Sequence, residues 1–369
     1  MTSRERLLTA YRCQEPAKLP IMVRGVRCWD EQWVASRHPS YRPVIEVIAE
    51  HGDYQAGWSV GRGVLLSGTQ EAHYSHETEP GDDWNIITTT LHTPAGELVS
   101  RRRESNRGLP GLSIDYPVKS LEDVELLMSV PYEPIAVDPS GFFALQEQIG
   151  DRGVVLCSIA NPIHIVADLL GSQLLAIWSI EQRELVLALI YMLLERTCDI
   201  LDQELAAGIG PVYSMLGEEF VTPPLHSAKD FRAFCIEPEK QMTKRIHAAG
   251  SLLHTHCHGP LDEVLEDFID LGSDVLHPIE APPLGNVTIE DAKRRLGGEV
   301  CIEGNIQIGD LYAAPTQYII DEVKRNIDVA APGGGYVLAP TASPHTEVLT
   351  PQTVENYVAM VETAVEYGR

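Results

Sequence analysis

From residue 150 onward the chain repeats one pattern six times: an apolar run, a polar or Gly/Pro-containing loop, then a longer segment with apolar residues at helical spacing. The runs at 154–159, 212–216, 252–256, 274–278, 300–303 and 336–340 are largely apolar rather than alternating. Strands buried on both faces of a parallel sheet have that pattern. Helices are predicted near 163–170 together with 180–205, then over 228–249, 261–271, 289–296, 317–329 and 353–367.

Two earlier runs extend the series. Residues 18–24 (KLPIMVR) and 52–60 (GDYQAGWSV) read as the first and second strands, with helices over 2–11 and 43–51. Eight strand–helix repeats in 369 residues place the chain in the α/β class and predict a (β/α)8 TIM barrel, with residues 1–369 as one domain. A doubly wound sheet is the rival, because a sequence pattern does not display closure. WNIITTTLHTP and LVSRRRE flank a Pro-Ala-Gly turn, which predicts an antiparallel β-hairpin inserted after the second strand, at about 79–105. Residues 106–117, rich in Gly and Pro, read as a surface loop, and Ser120 with Glu122 and Asp123 starts a helix over 120–128.

Composition narrows the partner. Lys and Arg total 28 against 53 Asp and Glu, a formal charge of −25, which repels nucleic acid and acidic membrane faces and leaves a small molecule as the expected partner. The seven cysteines (13, 28, 157, 198, 235, 257 and 301) never form C-x-x-C, so neither a disulfide framework nor a four-cysteine zinc knuckle is indicated. The pattern shows no apolar run of the roughly 18 residues that cross a bilayer, and MTSRERLLTAYR lacks the apolar core of a secretory signal. A cytoplasmic location is the expectation.

The chemistry-bearing stretch is residues 252–261, LLHTHCHGPL. If it is extended throughout, His254, His256 and His258 share one face while Thr255 and Cys257 point to the other. Polar groups also fall at the other strand ends: Asn161, then Glu218 and Glu219, then His277 and Glu280, Glu303 and Asn305, and His345. In a parallel barrel those ends form the catalytic face. Each residue alone has a plainer reading, such as a histidine hydrogen-bonded at a strand end. Imidazoles with a carboxylate suit zinc, whereas calcium and magnesium prefer all-oxygen shells. His256 and His258 are the leading metal ligands, with Glu280 and His345 competing for the third place. His254, deeper in the strand, and Asn161 are expected at the substrate, and Glu219 is the candidate for positioning or proton transfer. Cys257 becomes a ligand only if the strand has already broken at His256.

KQMTKRIHAAGSLLHTHCHG, LGGEVCIEGNIQIGDL and GGGYVLAPTASPHTEVLTPQTVENY, in that order, resemble the uroporphyrinogen decarboxylase superfamily. That superfamily includes zinc-dependent methyltransferases that take methyl groups from corrinoid proteins. The resemblance implies a (β/α)8 barrel, zinc, a corrinoid (cobalamin) as methyl carrier and a corrinoid-binding protein as partner. The decarboxylases carry M-R-Q-A-G-R-Y near the start; here LPIMVRGVRCWDEQW offers Arg24 and Arg27 without that motif. The methyltransferases carry H-x-C-G and a later cysteine near the eighth strand. This chain has His256-Cys257-His258-Gly259, and PTASPHTEVLTP holds His345 but no cysteine. Imidazole in place of thiolate makes a metal the stronger Lewis acid. The expected function is zinc-dependent methyl transfer between a corrinoid or pterin and a small acceptor. The alternatives are decarboxylation of an acidic substrate gripped by Arg24 and Arg27, and non-catalytic binding of a corrinoid or tetrapyrrole.

Overall fold

The computed structural model describes residues 1–61, 65–68, 73–107 and 109–368. Three helices, α1 (Ser3–Tyr11), α2 (Glu31–Ser36) and α3 (Arg42–His51), precede β1 (Tyr54–Trp58). β2 (Tyr74–Glu79), β3 (Trp84–Thr93), β4 (Gly96–Ser105) and β5 (Leu112–Asp115) come next, then α4 (Leu121–Met128) and α5 (Ser140–Ile149). Alternation follows: β6 (Gly153–Ser158), α6 (Pro162–Glu181), α7 (Arg183–Ala206), β7 (Val212–Leu216), α8 (Ala228–Phe231), α9 (Glu237–Ala248), β8 (Leu252–His256) and α10 (Asp267–Leu271). The chain ends with β9 (Val275–His277), α11 (Ile289–Leu296), β10 (Cys301–Ile306), α12 (Ile308–Ala313), α13 (Thr316–Ala330), β11 (Tyr336–Pro340) and α14 (Pro351–Tyr367).

Two sheets result. Seven parallel strands run in the order β1-β6-β7-β8-β9-β10-β11, and β2 to β5 form a separate antiparallel sheet. The parallel order never reverses, whereas a doubly wound sheet requires a reversal, so that rival is excluded. The strand expected at 18–24 is reduced to one bridge, Ile21 with Leu338. Met22 N–H donates to the Leu338 carbonyl (2.9 Å) and Leu338 N–H to that of Pro20 (3.0 Å), while Asp53 N–H, beside β1, donates to Ile21 (2.7 Å). The segment therefore bonds to both edges of the sheet. It stays short because Pro20 brings no N–H with which to extend a ladder.

Apolar side chains fill both faces of the parallel strands. On one face Val154, Val212, Leu252, Val275, Cys301 and Val337, all near the amino ends, pack with Leu7, Ala10 and Tyr11 of α1. Helix α1 thus occupies the amino end of that face, and the carboxyl end is left for polar side chains. The other face packs against the helices in the larger cluster, which includes Cys157, Cys235, Phe234 and Cys257.

The hairpin forms as the Pro-Ala-Gly turn predicts, with Thr93 opposite Gly96. It belongs to a wider sheet than expected, because β5 lies inside the predicted loop at 106–117 and pairs with β4. β2 and β5 are mostly exposed, so neither carries an apolar alternation to read. The two helices expected over 163–170 and 180–205 are instead α6 and α7, with Gly171 in α6 at φ 73. By length and composition α6 is long and apolar enough to span a bilayer, correcting the expectation of no such run, and about half of it is buried in the protein.

Candidate functional site

β8 ends at His256, so the histidine segment is not one extended run. Gly259, at φ 97, makes the turn that a side chain would resist. The strand part keeps its alternation, and His254 lies completely buried against Glu303 of β10, with Nε2 to Oε1 at 3.2 Å. Tyr11 donates its hydroxyl to the other Glu303 oxygen (3.1 Å), and Gln55 Nε2 donates to that same oxygen (3.0 Å). Burial alone would raise the Glu303 carboxyl, but the His254 ring, His277 and the Arg24 guanidinium outweigh it and hold the group down at about 2.

One step toward the carboxyl end, His256 Nδ1 meets His277 Nδ1 at 2.8 Å, and the rings stack at 4.9 Å between centroids. Both lose basicity to burial. His277 falls to about 3, and His256 drops well below the ordinary imidazole value, helped by the Arg24 charge. Two imidazoles sharing one hydrogen between facing nitrogens at neutral pH fit that result. His258, beyond the strand, pairs with Glu280, Nδ1 to Oε2 at 3.2 Å, and Gly259 N–H donates to the same oxygen at 2.9 Å. Burial would raise Glu280, but the His258 and Gly259 contacts lower it.

The expected metal set is brought together only in part. His256 and His258 stand edge to face, 4.8 Å between centroids, and His258 meets Glu280. His345 is elsewhere: it is exposed and its ring lies on Tyr312, 4.7 Å away. Among the described residues, the group of three ligand-type side chains that comes together, with ligand atoms within 4.8 Å of one another, is Glu218, Glu219 and Cys257. Cys257, turned away from the imidazoles as alternation has it, buries its thiol in the cluster that also holds Leu253 and the helix side chains Phe234 and Cys235. On the other side, Gly217 turns the chain after β7 at φ 116, where a Cβ would meet the His164 side chain at 2.5 Å. Glu218 and Glu219 follow immediately.

Asn161 and Glu239 complete that neighbourhood. The Asn161 carbonyl oxygen accepts from Ile163 N–H at the start of α6 (3.0 Å), while its amide nitrogen faces Glu218 and Glu239 without a well-formed hydrogen bond to either. Burial first, and then mutual repulsion, raise Glu218, and burial raises Glu239. Sequence reading missed Glu239, although a signal exists: Cys235, Glu239, Met242 and Ile246 fall on one helical stripe, so a carboxylate occupies an apolar position. Tyr11 and Gln55, which hold Glu303, left no comparable mark.

A cavity of about 570 Å³ opens at the carboxyl ends of the strands, lined among others by Arg24, Arg27, Gln55, Ser158, Ser214 and Ser343. One terminal nitrogen of Arg24 is buried there without a hydrogen bond. A second cavity, about 410 Å³, lies between the antiparallel sheet and Asp168 and Leu169 of α6, lined by none of the residues above.

The sequence profile described as uroporphyrinogen decarboxylase (URO-D) matches residues 110–367. No curated protein matches the chain by sequence. Among solved structures, a methyltransferase from Methanosarcina mazei is similar over 100% of this chain and 99% of its own, at 20% identity and a TM-score of 0.64. The muconate lactonizing enzyme from Pseudomonas putida covers 79% of this chain and 76% of its own at 11% identity, with a TM-score of 0.29, at which no likeness is drawn.

Proposed function

The chain belongs to the uroporphyrinogen decarboxylase family, and from that premise we propose that it transfers a methyl group between a corrinoid, or a pterin, and a small acidic acceptor. The full-length likeness in fold to a methyltransferase supports the reading. The backbone bonds from Pro20–Met22 to both sheet edges support closure of the seven strands and this segment into a (β/α)8 barrel, with its cavity on the catalytic face. Arg24 and Arg27, the latter 4.0 Å from Asp30 in the same lining, leave that cavity a net positive charge that suits an acceptor's carboxylate, phosphate or sulfonate. A corrinoid-binding protein is the matching partner for a chain whose own cavity suits a small molecule.

The observation that carries the proposal is the burial of His256 and His277 with their Nδ1 atoms facing each other at 2.8 Å, which disfavours a proton on either ring. Decarboxylation leaves a carbanion that must be protonated, and His256 and His277 are poor acids because burial keeps them unprotonated at neutral pH. A neutral ring offers an electron pair instead, to an acceptor's proton or to a metal. Zinc, when bound, would lower the pKa of an acceptor thiol. His256, His258 and Glu280 meet in pairs but not at one point, so they do not fit a three-ligand zinc centre as they stand.

The test is turnover with methylcobalamin and a panel of small thiols bearing an acidic group, followed by the visible bands of the cobalamin. Acceptor-dependent loss of the methyl–cobalt spectrum is the expected result. Carbon dioxide release from an acidic substrate, with methylcobalamin untouched, would assign the chain to the decarboxylase reading.

A further inference from the structure

We infer that Glu218, Glu219 and Cys257 form a divalent-metal site of the zinc class, set against the π-helical turn 232–236 and α9 and separate from the imidazoles of β8 and β9. Three observations converge on it. The donor atoms of the three side chains already lie within 4.8 Å of one another. Ligands around one tetrahedral zinc, at about 2.0–2.3 Å from the ion, stand roughly 3.5 Å apart, so the set contracts by no more than about an ångström. The thiol faces this way because alternation carries it to the face of Leu253 and Thr255, away from the imidazoles, where it joins Leu253, Phe234 and Cys235 in one cluster.

The second observation concerns polar groups around the site. Glu218 and Glu239 are 0% exposed, and no well-formed hydrogen bond reaches any of their four oxygens; the Asn161 amide nitrogen, on a residue 3% exposed, is in the same condition. Buried polar groups are nearly always satisfied, and several unsatisfied together mark a missing partner. A cation supplies one partner for the carboxylates, and the Asn161 amide is then free to donate to the oxygen of Glu218 or Glu239 that does not face the ion.

The third is access and donor chemistry. Glu219 is only half-buried, so the cluster has an entry side, and Gly217 N–H already orients this carboxylate at 3.1 Å. One thiolate with two carboxylates is a donor set that zinc accepts and calcium does not. Three ligands leave a fourth position, the arrangement of catalytic rather than structural zinc. Binding sets free the thiol proton and that of any protonated carboxyl, which leave to solvent as the cation enters.

The rival account is a proton shared between Glu218 and Glu239 with no ion at all. The two separate by experiment on the full chain, purified without a tag, stripped with a chelator and reloaded with Zn(II) or Co(II). About one equivalent of metal is expected, and the Co(II) protein should show a thiolate-to-cobalt charge-transfer band. Cys257→Ser should abolish that band, Glu218→Gln should bring bound zinc to below about a tenth of an equivalent, and His258→Ala should keep both metal and band. Stoichiometry below about a tenth in the unmodified protein overturns the site, as does metal lost in His258→Ala but kept in Cys257→Ser. If Cys257→Ser does not fold, the Co(II) spectrum of the unmodified protein decides: no thiolate band, no site. These readouts need no turnover, so the site can fail while methyl transfer stands, and the reverse.

Discussion

Glu303 sits fully buried as an anion because His254, Tyr11, Gln55 and Arg24 surround it. Its folded value of about 2 lies below the ordinary 4.5, so the stability it contributes is complete above about pH 4.5 and is lost as the pH falls through 2. Glu303→Gln should therefore cost about 3 kcal/mol at pH 7, measured by urea unfolding, and should flatten the acid limb of the stability profile below pH 4.5. His277 acts in a higher window. Its folded value of about 3 is below the ordinary 6.5, so the unfolded chain takes up a proton that the folded one refuses once the pH drops under 6.5. Stability from this group is present above 6.5 and declines toward 3, by about 1.4 kcal/mol per pH unit. Unfolding at pH 7.0 and 5.5 should show that decline in the unmodified protein and a smaller one in His277→Gln.

At the scale of elements, the segment between α1 and α2 does more than its length suggests. Asp53, 2% exposed, accepts from Ile21 N–H at 2.9 Å and from the Arg6 guanidinium, tying α1 and Pro20–Met22 to the start of β1. Asp53→Ala should cost about 3 kcal/mol, since it strands a half-buried arginine and a buried N–H together; chemical unfolding measures it. Gly217→Ala should cost about 2–4 kcal/mol, because a Cβ there meets His164 and the backbone sits at φ 116, and it should displace Glu218 and Glu219.

The same elements explain what the sequence made legible. The apolar runs of β6 to β11 are buried on both faces and announced themselves; β2 and β5 are exposed and did not. The alternating histidines marked the right stretch, though the strand ends at His256, before the last of them. His254, His256 and, on the opposite face, Cys257 follow the alternation, which carries Cys257 toward Glu218, while His258 lies beyond the strand and meets Glu280. Cys257 N–H still donates to the His277 carbonyl at 2.9 Å, the last bond of that ladder, and the turn at Gly259 follows. His345 looked equivalent to the other strand-end groups because distance along the chain carries no information about which way a loop turns.

For the whole molecule, α1 fills the amino end of one face of the parallel sheet, and His254, His256, His277 and Glu303 lie toward the other end. Arg24, Arg27 and Asp30 leave the cavity a net positive charge within a chain of net charge −25, so under the proposed function a small anion is favoured there over a large one. If zinc binds the folded chain alone, zinc at 100 times its dissociation constant should add about 2.7 kcal/mol to global stability, read as a shift in the unfolding midpoint between chelated and reloaded protein. Where that zinc sits distinguishes this account from the pattern in the sequence. An anomalous-difference map from a zinc-loaded crystal, recorded on both sides of the zinc edge, answers it directly. The account predicts a peak within coordination distance of Glu218, Glu219 and the Cys257 sulfur; a peak between His256 and His258, with nothing beside Cys257, would contradict it.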